Sequence, residues 1–210
     1  MDLQKLETEY NDSLIEYQMA QRIVLTTLEN LRDLLEIRHR RTIFYNIKHR
    51  LKEFDSAKEK CERKNYNNTP EGQTPEFDIK TIHERMLDIA GVRVVTVYPD
   101  DVYLVAEAIK NELVIAHEDD YIKTPKESGY SSLHLIASVQ VTSINGNKKN
   151  VPVEIQLRNM IMDAWATMDH GSRYKKDSPN QDVNMFFQNL AISFKETNEG
   201  IEKYIQKPAD

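Results

Sequence analysis

Two carboxylates lie on segments that the sequence predicts as strands of a sheet. Asp88 immediately precedes an otherwise wholly apolar segment, and Glu154 interrupts the polar face of a later one. Carboxylates from two strands of one sheet can hold Mg²⁺ and accept a proton, which is the chemistry of phosphoryl-type transfer. The structural alternative is that Asp88 caps or pairs locally and that Glu154 pairs with Arg158. Taken alone, each carboxylate fits that alternative better, so neither defines a site by itself.

Basic and hydroxyl side chains cluster between residues 49 and 60. Arg50 and Lys52 face the same side if they lie two residues apart on a strand. Ser56 and Lys60 lie one turn apart if a helix follows, so that four groups able to bind phosphate can converge. A solvated basic helix is the alternative, and it describes most charge runs.

The segment KTPKESGYSSLH (residues 123–134) places lysines and an aromatic ring next to a glycine. Its polar and aromatic members include Lys123, Lys126, Tyr130 and His134. An aromatic ring beside flexible backbone and lysines suits the stacking of a nucleobase together with phosphate contacts. The alternatives are an ordinary turn with a half-buried tyrosine and a histidine that serves only the sheet.

The segments that position these residues follow from hydrophobic periodicity. Helical spacing predicts helices over residues 1–40, 54–64, from about 78, 100–112, 159–174 and 183–206. Strands are predicted at 92–97, near 113–118, and in two alternating segments joined by a turn at INGN. Residues 43–52 are rich enough in Ile, Phe and Tyr for a further strand, and a continued helix fits them nearly as well. A polar loop spans residues 65–76. We therefore predict an α+β protein: an N-terminal helical extension (1–40), a catalytic domain (41–176) and a C-terminal helical extension (177–210).

Composition excludes several classes of protein. The chain has 210 residues, enough for one good-sized domain, and no apolar run approaches the roughly 18 residues that a membrane span needs. The single Cys61 excludes an internal disulfide framework, and the polar, acidic N-terminus favours a cytoplasmic location. No GxxxxGK[ST], GxGxxG, CxxC or HExxH motif occurs, so P-loop, Rossmann and zinc-site interpretations lose their usual support.

Charge is unevenly distributed along the chain. The net charge is −6, yet residues 38–64 contain ten Lys or Arg against four Asp or Glu. The rest of the chain therefore carries −12. An acidic protein with one basic segment suggests a localised anion site, and a free nucleotide fits such a site better than a long duplex.

Four ordered motifs resemble the synthetase domain of the RelA/SpoT family of alarmone synthetases. They are RLKxxxSxxxK, LDIAGVRV, DYIKTPKESGYSSLH and VEIQLRNMIMDAWATMDH, and they span roughly residues 40–176. The resemblance implies a nucleotidyltransferase-like mixed sheet of about five strands flanked by helices. It also implies a stand-alone small synthetase, because the chain is too short for the hydrolase and regulatory domains of the long members.

The reaction that the resemblance implies is transfer of the β,γ-pyrophosphate of ATP to the 3′-hydroxyl of GDP or GTP. Asp88 and Glu154 would be the catalytic and Mg²⁺-binding residues, with Glu154 also a candidate general base. The ATP site would contain Arg50 and Arg93 on the adenine and Lys52, Ser56 and Lys60 on the phosphates. The GDP or GTP site would contain Tyr130 on the guanine, Ser128 near it, Lys126 and Lys123 toward the phosphates, and His134 and Gln156 at the ribose and phosphate.

Alternative functions stay open at this point. Some small relatives pyrophosphorylate the 3′-end of tRNA or accept adenine nucleotides, although a charge of −12 outside the basic segment disfavours a tRNA partner. A catalytically inactive nucleotide-binding scaffold is the alternative from another class, and the two retained carboxylates argue against it. The apolar stripes at residues 14–35 and 183–205 suit a homotetramer, as in some small relatives, and suit packing within one chain equally well.

Overall fold

The computed structural model describes residues 2–64, 78–173 and 181–204. Its helices are α1 (Leu3–His39), α2 (Phe54–Lys64), α3 (Ile79–Arg85), α4 (Asp101–Glu112), α5 (Met160–Arg173) and α6 (Gln181–Tyr204). Its strands are β1 (Phe44–Leu51), β2 (Ala90–Thr96), β3 (Ile115–Asp120), β4 (Leu133–Thr142) and β5 (Lys148–Asn159). The helices and strands expected from periodicity are present. The predicted loop at 65–76 and the predicted boundary at 176 lie outside the described residues.

The strands form one mixed sheet in the order β1-β2-β5-β4-β3. β2 and β5 are parallel, whereas the other neighbouring pairs are antiparallel. Strict alternation in β4 and β5 buries one set of side chains and leaves the polar set on the opposite face. The turn between these strands contains Gly146 at φ 83°, a conformation that favours glycine. The predicted α+β class and the mixed five-stranded sheet flanked by helices are confirmed.

Helix α1 packs its apolar stripe into the same core as the sheet. The buried stripe contains Tyr17, Val24, Leu28, Leu31 and Leu35, each at most 5% exposed. Gln21, also buried, donates from Nε2 to the carbonyls of Arg50 at 2.7 Å and Gly91 at 3.0 Å. Helix α1 therefore holds the ends of β1 and β2 in place, directly beside the predicted site.

Helices α5 and α6 cover the other end of the predicted site. Trp165 of α5 is buried and donates from its indole N–H to the carbonyl of Phe187 in α6 at 3.0 Å. The side chains of Asn159 and Asn198 add a hydrogen bond of 2.7 Å. Within the described part of the chain, no helix combines the length and the apolar character that crossing a bilayer demands.

Candidate active site

A polar cavity of about 240 Å³ opens over the adjacent strands β1, β2 and β5. Five of the predicted site residues line it: Arg50, Asp88, Arg93, Glu154 and Gln156. Gly91 lies opposite Arg50 on one side and opposite Glu154 on the other. Because Gly91 has no side chain, the floor of the cavity stays open between these two groups. A larger cavity of about 600 Å³ lies against α6, but neither carboxylate lines it.

Asp88 is held by the two lysines of the predicted phosphate site. Its Oδ2 lies 3.1 Å from Lys52 Nζ and 2.8 Å from Lys60 Nζ. Burial raises the pKa of Asp88, but the two ammonium groups outweigh burial and leave the pKa below its ordinary value. Its Oδ1 is buried and has no hydrogen-bond partner among the described residues. Asp88 is therefore an ionised carboxylate with one oxygen available to a ligand, and its partners are distant in sequence rather than local.

Two arginines of the predicted adenine site, Arg50 and Arg93, line the same cavity. Burial and the neighbouring charge of Arg158 lower the pKa of Arg93, while Asp163 opposes them. Arg93 donates from Nη1 to Asp163 Oδ1 at 3.2 Å. Ser56 lies on α2 one turn before Lys60, and its side chain is exposed to solvent. Its predicted role is a contact with a phosphate of the bound nucleotide.

Glu154 accepts two hydrogen bonds that orient its carboxylate. Its Oε1 lies 3.1 Å from His134 Nδ1, and its Oε2 accepts from Gln156 Nε2 at 2.8 Å. Burial raises the pKa of Glu154, but His134 and Gln156 outweigh burial, so the pKa lies below its ordinary value. The structural alternative for Glu154 is wrong: Arg158 directs its guanidinium to Tyr130, Gln156 and Asp163 instead.

A hydrogen-bonded chain connects Glu154 to the predicted guanine site. Tyr130 Oη accepts from Arg158 Nη2 at 2.6 Å and lies 2.8 Å from His134 Nε2. Because the ionised carboxylate of Glu154 can only accept, His134 carries a proton on the Nδ1 that faces it. In the neutral imidazole, Nε2 then accepts from the Tyr130 hydroxyl. Arg158, Tyr130, His134 and Glu154 thus form one continuous chain of donors and acceptors.

The segment before β4 surrounds Tyr130 with further aromatic and cationic groups. Lys126 Nζ lies 4.3 Å from the ring centre of Tyr121 and 5.2 Å from that of Tyr130. Ser128 Oγ accepts weakly from the Tyr130 backbone N–H at 3.4 Å. Lys123 is not brought to the cavity: it is 72% exposed and pairs with Asp120 at 2.9 Å. Lys126 is also exposed and lines the larger cavity against α6. The predicted residues that come together are the five that line the polar cavity, Lys52 and Lys60 on Asp88, and His134 and Tyr130 beyond Glu154.

Three residues contact the site without being among the predicted site residues: Tyr121, Arg158 and Asp163. Strand periodicity does place Arg158 on the polar face of β5 with Glu154 and Gln156, but the sequence suggests only a pairing with Glu154 and not the contact with Tyr130. Tyr121 lies within one of the four motifs. Asp163 follows a strand-to-helix junction, and nothing in its local sequence indicates which arginines it contacts.

The donor set fits a Mg²⁺ ion shared with a phosphate-bearing substrate. Mg²⁺ prefers oxygen ligands and is commonly bound by one or two carboxylates plus substrate phosphates. Asp88 offers an unpartnered oxygen, and the charge of Asp88 acts on Glu154, which lines the same cavity. Among the described residues no group of three or more His, Cys, Asp or Glu could hold a metal, so phosphate and water would complete the coordination.

A mixed sheet whose polar face combines two ionised carboxylates with lysines and arginines defines a nucleotide-binding transferase domain. The family model for the region found in RelA/SpoT proteins matches residues 49–179. The chain belongs to the RelA/SpoT family. This assignment confirms the one made from the four motifs.

Two curated relatives and several solved structures resemble the chain over most of its length. GTP pyrophosphokinase YwaC of Bacillus subtilis is 33% identical over 184 residues, which is 86% of this chain and 83% of YwaC. GTP pyrophosphokinase YjbM of the same organism is 32% identical over 164 residues, covering 77% and 72%. The structure of small alarmone synthetase 1 from B. subtilis bound to its product pppGpp superposes with a TM-score of 0.79 at 28% identity, covering 93% and 96%.

Proposed function

We propose that this chain is a small alarmone synthetase that transfers the β,γ-pyrophosphate of ATP to the 3′-hydroxyl of GDP or GTP. The products are ppGpp or pppGpp, and AMP. One observation carries the proposal: a single cavity joins Asp88, held by two lysines, to Glu154, whose partner His134 leads to Tyr130. The names of the relatives YwaC and YjbM and the pppGpp-bound relative support the same reaction.

The donor half of the site binds ATP by charge and stacking. Lys52 and Lys60 lie where they can neutralise the phosphates, with Ser56 at the edge, and Arg50 and Arg93 flank the adenine. Bound Mg²⁺ would neutralise charge on the phosphates, and the free oxygen of Asp88 with Glu154 would hold it. These cations act where negative charge is concentrated in the transition state, and phosphoryl transfer depends chiefly on such stabilisation and on positioning.

The acceptor half orients the guanine nucleotide and receives its proton. The ring of Tyr130 stacks on the guanine, with Ser128 beside it, and Lys126 meets the acceptor's phosphates. Lys123 would have to leave Asp120 to reach these phosphates. His134 and Gln156 hold Glu154 in one orientation toward the ribose. These two contacts keep the carboxylate ionised at neutral pH, as a proton acceptor must be.

The group transfer balances within this arrangement. The 3′-oxygen forms a bond to the β-phosphorus of ATP, and the bond from that phosphorus to the oxygen bridging it to the α-phosphorus breaks. AMP leaves with the bridging oxygen and its electron pair. The 3′-hydroxyl proton passes to the carboxylate of Glu154.

Label transfer from γ-³²P-ATP tests the proposal directly. The protein is incubated with Mg²⁺ and, in parallel, GDP, GTP, AMP, ADP or bulk tRNA, and the products are resolved by chromatography. We expect label in a guanine nucleotide with equal release of AMP, loss of transfer on chelation with EDTA, and loss in Glu154→Gln. Label found only on tRNA or on adenine nucleotides would show that the acceptor is not a guanine nucleotide. Absence of transfer to any acceptor would favour the inactive nucleotide-binding scaffold. Release of pyrophosphate in place of AMP would contradict the reaction.

Assembly and domain division are parts of the same proposal. We place the catalytic domain at residues 41–176, which the family match to 49–179 supports.

Exposed apolar side chains on α1 and α6 support a homotetramer: Leu34, Ile37, Phe186 and Ile192 are each at least 59% exposed. Light scattering should then report four times 24.5 kDa, and a mass of one chain would refute the tetramer. The cytoplasmic location stays a prediction.

A further inference from the structure

Asp163, at the start of α5, contacts two arginines at once. Its Oδ1 accepts from Arg93 Nη1 at 3.2 Å and from Arg158 Nη1 at 3.3 Å. The side chains of Asp163 and Arg158 are 14% and 4% exposed, so solvent screens their contact little. Arg93 is 32% exposed, and its contact with Asp163 is screened more. One carboxylate oxygen therefore joins strands β2 and β5 above the cavity.

The two guanidinium groups need this carboxylate. Arg93 and Arg158 lie on neighbouring parallel strands, because Arg93 pairs with Gln156, two residues before Arg158. Each arginine stays protonated in a protein, so the repulsion between them cannot be relieved by loss of a proton. The shared carboxylate relieves it and is a contact that both groups have in common, while Arg158 is also held by Ser132, Tyr130 and Gln156.

The two arginines lie on the sides of the site that the proposed function assigns to different nucleotides. Arg93 lines the cavity with Arg50, where the proposed function places the adenine of ATP. Arg158 donates to Tyr130 Oη at 2.6 Å and to Gln156 Oε1 at 3.1 Å, on the side proposed for the guanine nucleotide. A movement of Arg93 onto adenine must therefore act on Arg158 through the oxygen that both share.

We propose that Asp163 is a positioning residue that couples the two nucleotide sites, so that binding of one nucleotide tightens binding of the other. The proposal rests on the proposed function, which assigns the two sites. The first nucleotide orders the network of Arg93, Asp163, Arg158 and Tyr130. The second nucleotide then meets an ordered site and loses less conformational entropy. Such coupling is reciprocal: each nucleotide must change the affinity of the other by the same factor.

Calorimetry on the full chain tests this coupling. The Kd of an unreactive ATP analogue, α,β-methylene-ATP with Mg²⁺, is measured without GDP and with saturating GDP, and the titration is repeated in the reverse order. We expect GDP to tighten the analogue's Kd by about 5-fold or more in the original protein, the lower end of typical coupling. In Asp163→Asn the ratio should fall to about 1. A partly unfolded preparation lowers the number of binding sites per chain but leaves the ratio of the two Kd values unaltered. If Asp163 only stabilised the fold, Asp163→Asn would therefore not change this ratio.

Two matched variants complete the experiment. Glu196→Gln removes the same charge from an exposed position of α6 and should keep the original ratio. If Asp163→Asn binds neither nucleotide, the variant Arg158→Lys is used in its place. A compact ammonium lacks the planar fork with which the guanidinium reaches Tyr130, Gln156 and Asp163 from two nitrogens. The ratio in Arg158→Lys should also fall to about 1.

The outcomes separate failure of the coupling from failure of the proposed function. A ratio of 1 in the original protein, or the original ratio in Asp163→Asn or in Arg158→Lys, overturns the coupling. If γ-³²P label still moves from ATP to GDP in that case, the proposed function stands without it. If the label moves to no guanine nucleotide, the proposed function itself fails.

Discussion

Removal of the imidazole of His134 should raise the pH at which the enzyme loses activity in acid. The imidazole donates from Nδ1 to Glu154 Oε1 at 3.1 Å, and both side chains are at most 16% exposed. Burial alone would raise the pKa of Glu154, and the contact with His134 is the largest effect that lowers it. Without His134, the hydrogen bond from Gln156 is left to oppose burial, and the carboxylate takes up a proton at a higher pH.

The size of the effect follows from the hydrogen bond that is lost. A hydrogen bond to a charged group contributes about 1.5–3 kcal/mol, so its loss in His134→Ala should raise the acid midpoint of the activity clearly. The rate at the plateau should also fall, because Glu154 is no longer oriented.

The assay is kcat/KM for label transfer to GDP from pH 4.5 to 9, since this ratio reports the groups of the free enzyme. His117→Ala is the matched control. His117 also contacts a carboxylate, Asp119 at 3.2 Å, but on β3 and with 56% of its side chain exposed. An unchanged acid midpoint in His134→Ala would refute the reasoning, as would an equal rise in His117→Ala.

Three further changes test other parts of the site and its support. Lys60→Ala removes one of the two ammonium groups on Asp88 and should raise the KM for ATP about tenfold, roughly the 1.5 kcal/mol of a charged hydrogen bond, in steady-state assays at saturating GDP. Gly129→Ala places a Cβ at φ 92° and 2.4 Å from Cβ of Ala191, so the melting temperature should fall by several degrees and the KM for GDP should rise. Gln21→Leu removes the donor of two hydrogen bonds to the carbonyls of Arg50 and Gly91 and should lower the free energy of unfolding by about 1–3 kcal/mol in urea titrations. An unchanged KM, melting temperature or urea midpoint would contradict the respective expectation.

Much of the site could be predicted because strand periodicity and the motifs are local in sequence. The alternation in β5 placed Glu154 and Gln156 on one face, and the structure shows them in contact. Helical spacing likewise identified the stripe of α1, yet it could not decide between packing in one chain and packing on a partner. The buried side of α1 is used within the chain, because it covers the sheet.

Periodicity and motifs were enough to predict the order of helices and strands, the polar faces of β4 and β5, and membership of the family. They did not indicate which charges meet: Lys60 with Asp88, His134 with Glu154, and Asp163 with two arginines come together through the folded arrangement. The reason is physical. Periodicity records which side of an element is buried, whereas the partner of a polar side chain depends on strand order and on the parallel pairing of β2 with β5. That pairing follows from packing of the whole core, so no short segment contains it.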